Sequence, residues 1–190
     1  MNNLTNCSAP ASQKIIREDG GTIAYHFTPG KSPGVVFLTG FASDMNGDKA
    51  LCLEKFCQSR GQAFLRFDYL GHGESSENFL DGCIGDWTDD AIFALDHLTE
   101  GPQILVGSSM GGWIMLLAAL ARPERIAGLV GLAAAPDFTE DLMWESFTED
   151  QRADLESKGS VAIGNDYDDG QDYIITQKLI EDGRKYLLLR

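Results

Sequence analysis

The chain has 190 residues, enough for one domain with a sizeable core, and its 43% hydrophobic content is that of an ordinary globular protein. A formal net charge of −14 and an isoelectric point near 4.4 argue against nucleic acid or an anionic membrane surface as a partner. No apolar run reaches the length of a membrane span, so a membrane span is not expected either.

The first residues, MNNLTNCSAPASQ, lack the basic region and apolar core of a signal peptide. Residues 1–13 are polar and are expected to form a flexible terminus. The cytoplasm is the expected address, with an organelle such as the mitochondrial matrix as the alternative. The four cysteines read as free thiols. Cys52 and Cys57 are spaced poorly for one helical face, and no histidine is close enough to complete a zinc set. No metal and no cofactor is expected.

In chain order, Lys14 to Phe27 has Asp19-Gly20-Gly21 at its centre and predicts a β-hairpin. His26, on its second strand, reads as structural. Pro29 to Pro33 is expected to be a turn. Val35-Val36-Phe37-Leu38 predicts a buried strand that opens into Thr39-Gly40-Phe41-Ala42. Asp48 to Arg60 has helical spacing of apolar residues and stops at Gly61, as a crossover helix would. Ala63 to Asp68 predicts the next strand, running into Tyr69-Leu70-Gly71-His72-Gly73-Glu74-Ser75. That run reads as a shaped loop in which His72 and Asp68 are structural. Asp81 to Gly85 is expected to be a turn, and Thr88 the cap of a helix reaching Leu98 or Thr99. His97, on that helix, reads as a surface or packing residue.

Gln103 to Ala121 organises the rest. Ile104-Leu105-Val106 reads as a buried parallel strand. Gly107-Ser108-Ser109-Met110-Gly111 follows, and Trp113 to Leu120 predicts a buried helix stopped by Arg122-Pro123. Strand, G-x-S-x-G, helix is the context that makes the pentapeptide a nucleophile elbow. Ser109 would sit on the strained turn with its hydroxyl projecting. Gly107 and Gly111 would permit close backbone approach. The Met110 N–H, at the helix start, supplies half of an oxyanion hole, and the Phe41 N–H is the candidate for the other half. Two phosphate-binding readings fail. Gly107 to Gly112 has P-loop spacing but is followed by Trp113-Ile114 rather than Lys and Ser or Thr, and the dinucleotide pattern needs glycine where Ser109 stands.

Ile126 to Ala133 predicts one more buried strand. From Asp137 the character changes: residues 137–190 hold 14 acidic and 6 basic side chains. Phe138 to Phe147 reads as a short amphipathic helix, and Thr148-Glu149-Asp150-Gln151 as a capping box. Gly159 to Gly170 is turn-rich, and Tyr173 to Glu181 is expected to be helical. The organisation expected is a core over 14–136 and a cap or connecting insert over 137–190.

Alternating strands and helices imply a mostly parallel sheet with helices on both faces. With the elbow, this resembles the α/β-hydrolase fold. LTGFASDMNGDKA, FLRFDYLGHGESS and LVGSSMGGWIMLLAALARPERIAGLVGLAAAPDF are similar to the acyl-protein thioesterase and acyl-glucuronide esterase subgroup, whose members include mitochondrial enzymes of animals and bacterial proteins. The resemblance implies a serine hydrolase acting on a small-molecule acyl ester or an acylated-protein thioester. It also implies a Ser, Asp, His order along the chain. No histidine follows Ser109 in these 190 residues, and the expected acid is not found after the cap region; Asp137, though after a strand, has no histidine to orient. The expectation is therefore an N-terminal piece of a longer enzyme, lacking the last strands and helices and the catalytic Asp and His. Two alternatives remain open at this point: a ligand-binding protein on the same fold that has lost its base, and another reaction of the fold such as C–C or lactone cleavage.

Overall fold

A computed structural model describes residues 11–164 and 172–190. Most of the terminus expected to be flexible, Cys7 and part of the turn-rich Gly159 to Gly170 stretch lie outside the described residues.

The Asp19-Gly20-Gly21 turn joins β1 (Gln13–Ile16) to β2 (Thr22–Thr28) as an antiparallel hairpin. Four parallel strands follow, β3 (Lys31–Leu38), β4 (Gln62–Phe67), β5 (Gln103–Ser108) and β6 (Ile126–Leu132). The sheet order is β1-β2-β4-β3-β5-β6, with β2 antiparallel to β4. The helices α1 (Asp48–Ser59), α2 (Ile84–Leu98) and α3 (Met110–Ala121) are the crossovers. Pro29 to Pro33 is shorter as a turn than expected, since β3 already begins at Lys31.

The period of two along β3 sorts its side chains between two cores. Val35 and Phe37 pack with Phe64, Val106 and the Ala50 and Cys57 of α1 on one face. Val36 and Leu38 pack with Leu65, Leu105 and the α2 and α3 residues Trp87, Leu95, Trp113 and Ile114 on the other. A continuous apolar run is what a strand covered on both faces requires, and helices do cover both.

Three local expectations are corrected. The first concerns α2, which starts at Ile84, one turn before Thr88. The Thr88 hydroxyl donates to the Ile84 carbonyl from inside the helix, while the Gly85 N–H donates to Asp182 Oδ2 at 2.8 Å. A carboxylate far along the chain thus satisfies a first-turn donor that local sequence leaves unpaired.

The second concerns β6, which is not buried: Leu129, Val130 and Leu132 are 42%, 45% and 37% exposed. Among the described residues β6 pairs only with β5, so it forms the sheet edge.

The third concerns Tyr173 to Glu181. Its first four residues form β8 (Tyr173–Thr176), antiparallel to β7 (Ser160–Ile163), before the last helix begins at Gln177. Tyr-Ile-Ile-Thr is aromatic and β-branched, which favours the paired strand.

Between β6 and β7, Thr139–Met143 forms a wide helical turn, Trp144–Ser146 a tight one, and α4 (Glu149–Lys158) opens on the expected Thr148/Gln151 capping box. The last helix, α5 (Gln177–Gly183), is capped by the Thr176 hydroxyl and packs on α2.

Candidate active site

Between β5 and α3, Ser109 has φ 53° and ψ −120°. A residue other than glycine held in such a region costs on the order of 1–3 kcal/mol and persists only where the surroundings over-determine it. Here they do. The Ser109 N–H donates to the Leu132 carbonyl at 3.1 Å, and the Ser109 carbonyl accepts from the N–H groups of Gly112 and Ala135. Ser109 is exposed between buried Ser108 and buried Met110, which is what puts a hydroxyl at the top of the sheet.

The flanking glycines are required by contact. A Cβ on Gly107 would lie 2.6 Å from Gly112 Cα, and one on Gly111 would lie 2.5 Å from the Thr39 carbonyl oxygen and 2.6 Å from the Leu38 carbonyl carbon. The tight packing of Gly111 against the end of β3 brings the loop after β3 beside Ser109. A Cβ on Gly40 would be 3.4 Å from Ser109 Cβ. Neither the Phe41 nor the Met110 N–H has an acceptor among the described residues. Both flank the Ser109 turn.

Ser109 opens into a cavity of about 620 Å³. Phe41, Leu132, Ala133 and Tyr173 line one side, and Gly40, Ser43, Lys49 and Ser108 the other. The Phe41 ring is held by four others, with centroids at 5.0 Å for Phe79, 6.1 Å for Trp87, 5.8 Å for Phe138 and 5.8 Å for Tyr173. Sequence reasoning missed Lys49 and Tyr173. Lys49 stands in the first turn of the helix after the Gly40 loop, a position legible once β3 and α1 are placed. Tyr173 reaches the cavity through the β7–β8 pairing, which no local pattern announces.

None of the three histidines lines this cavity. His72 is 4% exposed, boxed by Tyr69, Phe79 and Trp87, with Nδ1 3.4 Å from the Leu70 carbonyl and no partner for Nε2. Burial pushes its pKa down to about 4, so the ring is neutral. His26 lies in β2 beside β4, and His97 packs against Phe93 on α2.

The nearby acids are also committed. Asp68 accepts the N–H groups of Met45 and Glu74 at 2.7 and 2.9 Å, tying the loops after β3 and β4 together. Burial raises its pKa to about 6 against those two donors. Asp137, fully buried with φ 60°, accepts the N–H groups of Leu188 and Leu189 at 2.8 and 2.9 Å. It is an anchor for the last residues. Among the described residues no group of three or more His, Cys, Asp or Glu side chains could hold a metal ion.

The strained Ser109 turn stands at the C-terminal edge of the parallel sheet, flanked by two unpaired backbone donors. The chain belongs to the α/β-hydrolase family: the family model described as the alpha/beta hydrolase fold matches residues 33–166. Within the family it is similar to the mitochondrial palmitoyl-protein thioesterase ABHD10 of rat, 42% identical over 168 residues covering 88% of this chain and 56% of that protein. The human protein of the same name is 41% identical over 187 residues, 98% of this chain and 61% of that one. The chain thus spans about three-fifths of the length of these curated relatives. Among solved structures it is similar to mouse alpha/beta hydrolase domain-containing protein 10, with a TM-score of 0.84 at 37% identity over 95% of this chain and 72% of that one. It is likewise similar to a putative hydrolase from Agrobacterium vitis, with a TM-score of 0.86 at 36% identity over 93% of this chain and 72% of that one.

Proposed function

We propose that the whole protein of which these residues form part is a serine hydrolase cleaving carboxylic esters or thioesters through an acyl-enzyme on Ser109. The observation that carries this reading is the exposed Ser109 at φ 53°, set between the unpaired Phe41 and Met110 N–H groups. A hydroxyl so placed attacks an acyl carbonyl, and the two donors hold the oxyanion of the tetrahedral intermediate. Each such donor contributes roughly 3–4 kcal/mol of transition-state stabilisation.

The aromatic side of the cavity suits an acyl chain. Thioester cleavage is favoured over the binding-protein alternative because the similar curated proteins are named palmitoyl-protein thioesterases. Their names also carry the word mitochondrial, which favours the matrix over the cytoplasm as the address. The base that deprotonates Ser109 is not one of His26, His72 or His97, so the reading assigns it to sequence outside these 190 residues, together with its orienting acid.

Hydrolysis of a palmitoyl thioester and of the matching oxygen ester by the whole protein tests the proposal. Turnover of either that falls by about 10⁴ or more in Ser109→Ala supports it. Turnover unchanged by that substitution overturns it.

A further inference from the structure

The Phe41 N–H is carried by a loop that its own sequence does not hold in place. Gly40 to Ser43 form a turn, closed by the Ser43 N–H donating to the Gly40 carbonyl at 3.2 Å. Ala42 takes the third position of that turn at φ 53°. Glycine or asparagine is the usual occupant there, because a Cβ disfavours positive φ. An alanine stays in such a conformation only where its surroundings fix it. On the near side they do: Gly40 lies against Ser109, and the Phe41 ring sits among Phe79, Trp87, Phe138 and Tyr173. On the far side residues 42–44 are exposed and gain little from packing. Met45, fully buried, is the first anchor after the turn.

The grip on Met45 comes from β4. Phe64 packs on the α1 side of the sheet, and the period of two carries Arg66 and then Asp68 to the same side. Both are buried, at 4% and 0% exposure. The Met45 N–H donates to Asp68 Oδ1 at 2.7 Å, and Arg66 Nη1 donates to the Met45 carbonyl at 3.2 Å. One residue of the loop is thus held through both of its backbone polar groups.

The two gripping side chains are themselves fixed. Arg66 Nη1 also donates to Asn46 Oδ1 at 2.7 Å, and its Nε donates to Glu54 Oε2 of α1 at 2.9 Å. The other oxygen of Asp68 accepts the Glu74 N–H at 2.9 Å. A Cβ on Gly73 would fall 2.4 Å from Asp68 Cγ, so the loop after β4 closes tightly over the carboxylate. Neither Arg66 nor Asp68 lines the cavity that holds Ser109.

We propose that Asp68 and Arg66 are positioning residues for the oxyanion hole, fixing Met45 and through it the turn that aims the Phe41 N–H. The inference rests on the hydrolase reading for the role of that N–H. The two donors of the hole are then held differently: Met110 by the elbow and α3, Phe41 by a strained turn set from β4. A neutral bound ester draws little on such a donor, whereas the oxyanion draws on it strongly. A loosened grip on Met45 therefore slows acylation and leaves substrate affinity nearly unchanged.

The whole protein is assayed at pH 8, where Asp68, raised to about 6 by burial, is ionised. Asp68→Asn keeps the side-chain shape but sets an NH₂ group against one of the two N–H donors. It should lower kcat/KM for phenyl decanoate about 10- to 100-fold, while the affinity of the Ser109→Ala protein for the same ester changes by less than about twofold. Arg66→Lys should act in the same sense by a smaller factor. Asp182→Asn makes the same exchange at the Gly85 N–H of α2, away from this loop, and should alter neither quantity. An unchanged kcat/KM in Asp68→Asn, a loss matched by lost affinity, or an equal loss in Asp182→Asn overturns the positioning role. A second readout needs no turnover. In the amide spectrum of the Ser109→Ala protein, Asp68→Asn should move the Phe41 N–H signal and speed exchange of the Met45 N–H. A Phe41 signal that stays in place contradicts the proposal. Turnover of the otherwise unsubstituted protein that survives Ser109→Ala would count against the hydrolase reading alone, so the two can fail independently.

Discussion

Gly111 shows how little room the site leaves for change. Its hydrogen occupies the space that a methyl would contest with the Leu38 and Thr39 carbonyls, both backbone and therefore unable to swing aside. Gly111→Ala is expected to cost about 2–3 kcal/mol, read as a lowered urea midpoint at unchanged slope. His72 gives a pH prediction. Its folded pKa of about 4 lies below the ordinary 6.5, so the unfolded chain binds more protons between those values. Its contribution to stability is complete above pH 6.5 and is lost as pH falls toward 4, about 3 kcal/mol in all. Asp68 and Asp90, raised to about 6 by burial, slope the opposite way over the same window, most stabilising below their ordinary 3.8. His72→Phe, matched to its aromatic box, should remove only the histidine component. The stability difference between wild type and variant, measured by urea unfolding at pH 7 and pH 4.5, should shift by about 2–3 kcal/mol. A constant difference would contradict a buried neutral ring.

At the scale of elements, α2 carries the sharpest test. Asp182 accepts the Gly85 N–H, and burial, which alone would raise its pKa, is outweighed by donors from Cys83, Gly85 and Lys185 that hold it low. Asp182→Ala leaves the buried Gly85 N–H unpaired and should cost about 2 kcal/mol, with faster hydrogen exchange in the first turn of α2. Unchanged exchange at Gly85 would show that the carboxylate is not the cap. This contact also explains what was hard to read in the sequence. The strands β3 and β5 and the helix α3 were legible because burial on both faces leaves an unbroken apolar run. The capping box at Thr148 was legible because its partners are three residues apart. The start of α2 and the strand at Tyr173 were not, because their partners, Asp182 and β7, lie elsewhere in the chain. The elbow was legible because one turn demands small residues at fixed offsets. Lys49 and Tyr173 were not, because a cavity wall is assembled from segments that share no local pattern.

For the whole molecule, β6 is the open question the sheet poses to its surroundings. Its apolar run, read from sequence as a buried strand, instead presents Leu129, Val130 and Leu132 and an unpaired backbone edge among the described residues. Such an edge is a template for pairing with another chain. The 190-residue chain is therefore expected to self-associate, and Val130→Lys to increase its monomeric fraction in sedimentation velocity while changing stability by less than about 0.5 kcal/mol. A monodisperse unsubstituted chain would contradict this. The charge of −14 limits the association without removing the edge.

The central proposal is that Ser109 is a nucleophile whose base is supplied by none of these residues. The measurement that meets it most directly is covalent labelling by a fluorophosphonate, with the modified residue located by mass spectrometry, on the 190-residue chain and on the whole protein. The account predicts an adduct at Ser109 in the whole protein, none in its Ser109→Ala variant, and little or none in the 190-residue chain. A folded whole protein that stays unlabelled, or one labelled at another serine, would contradict it.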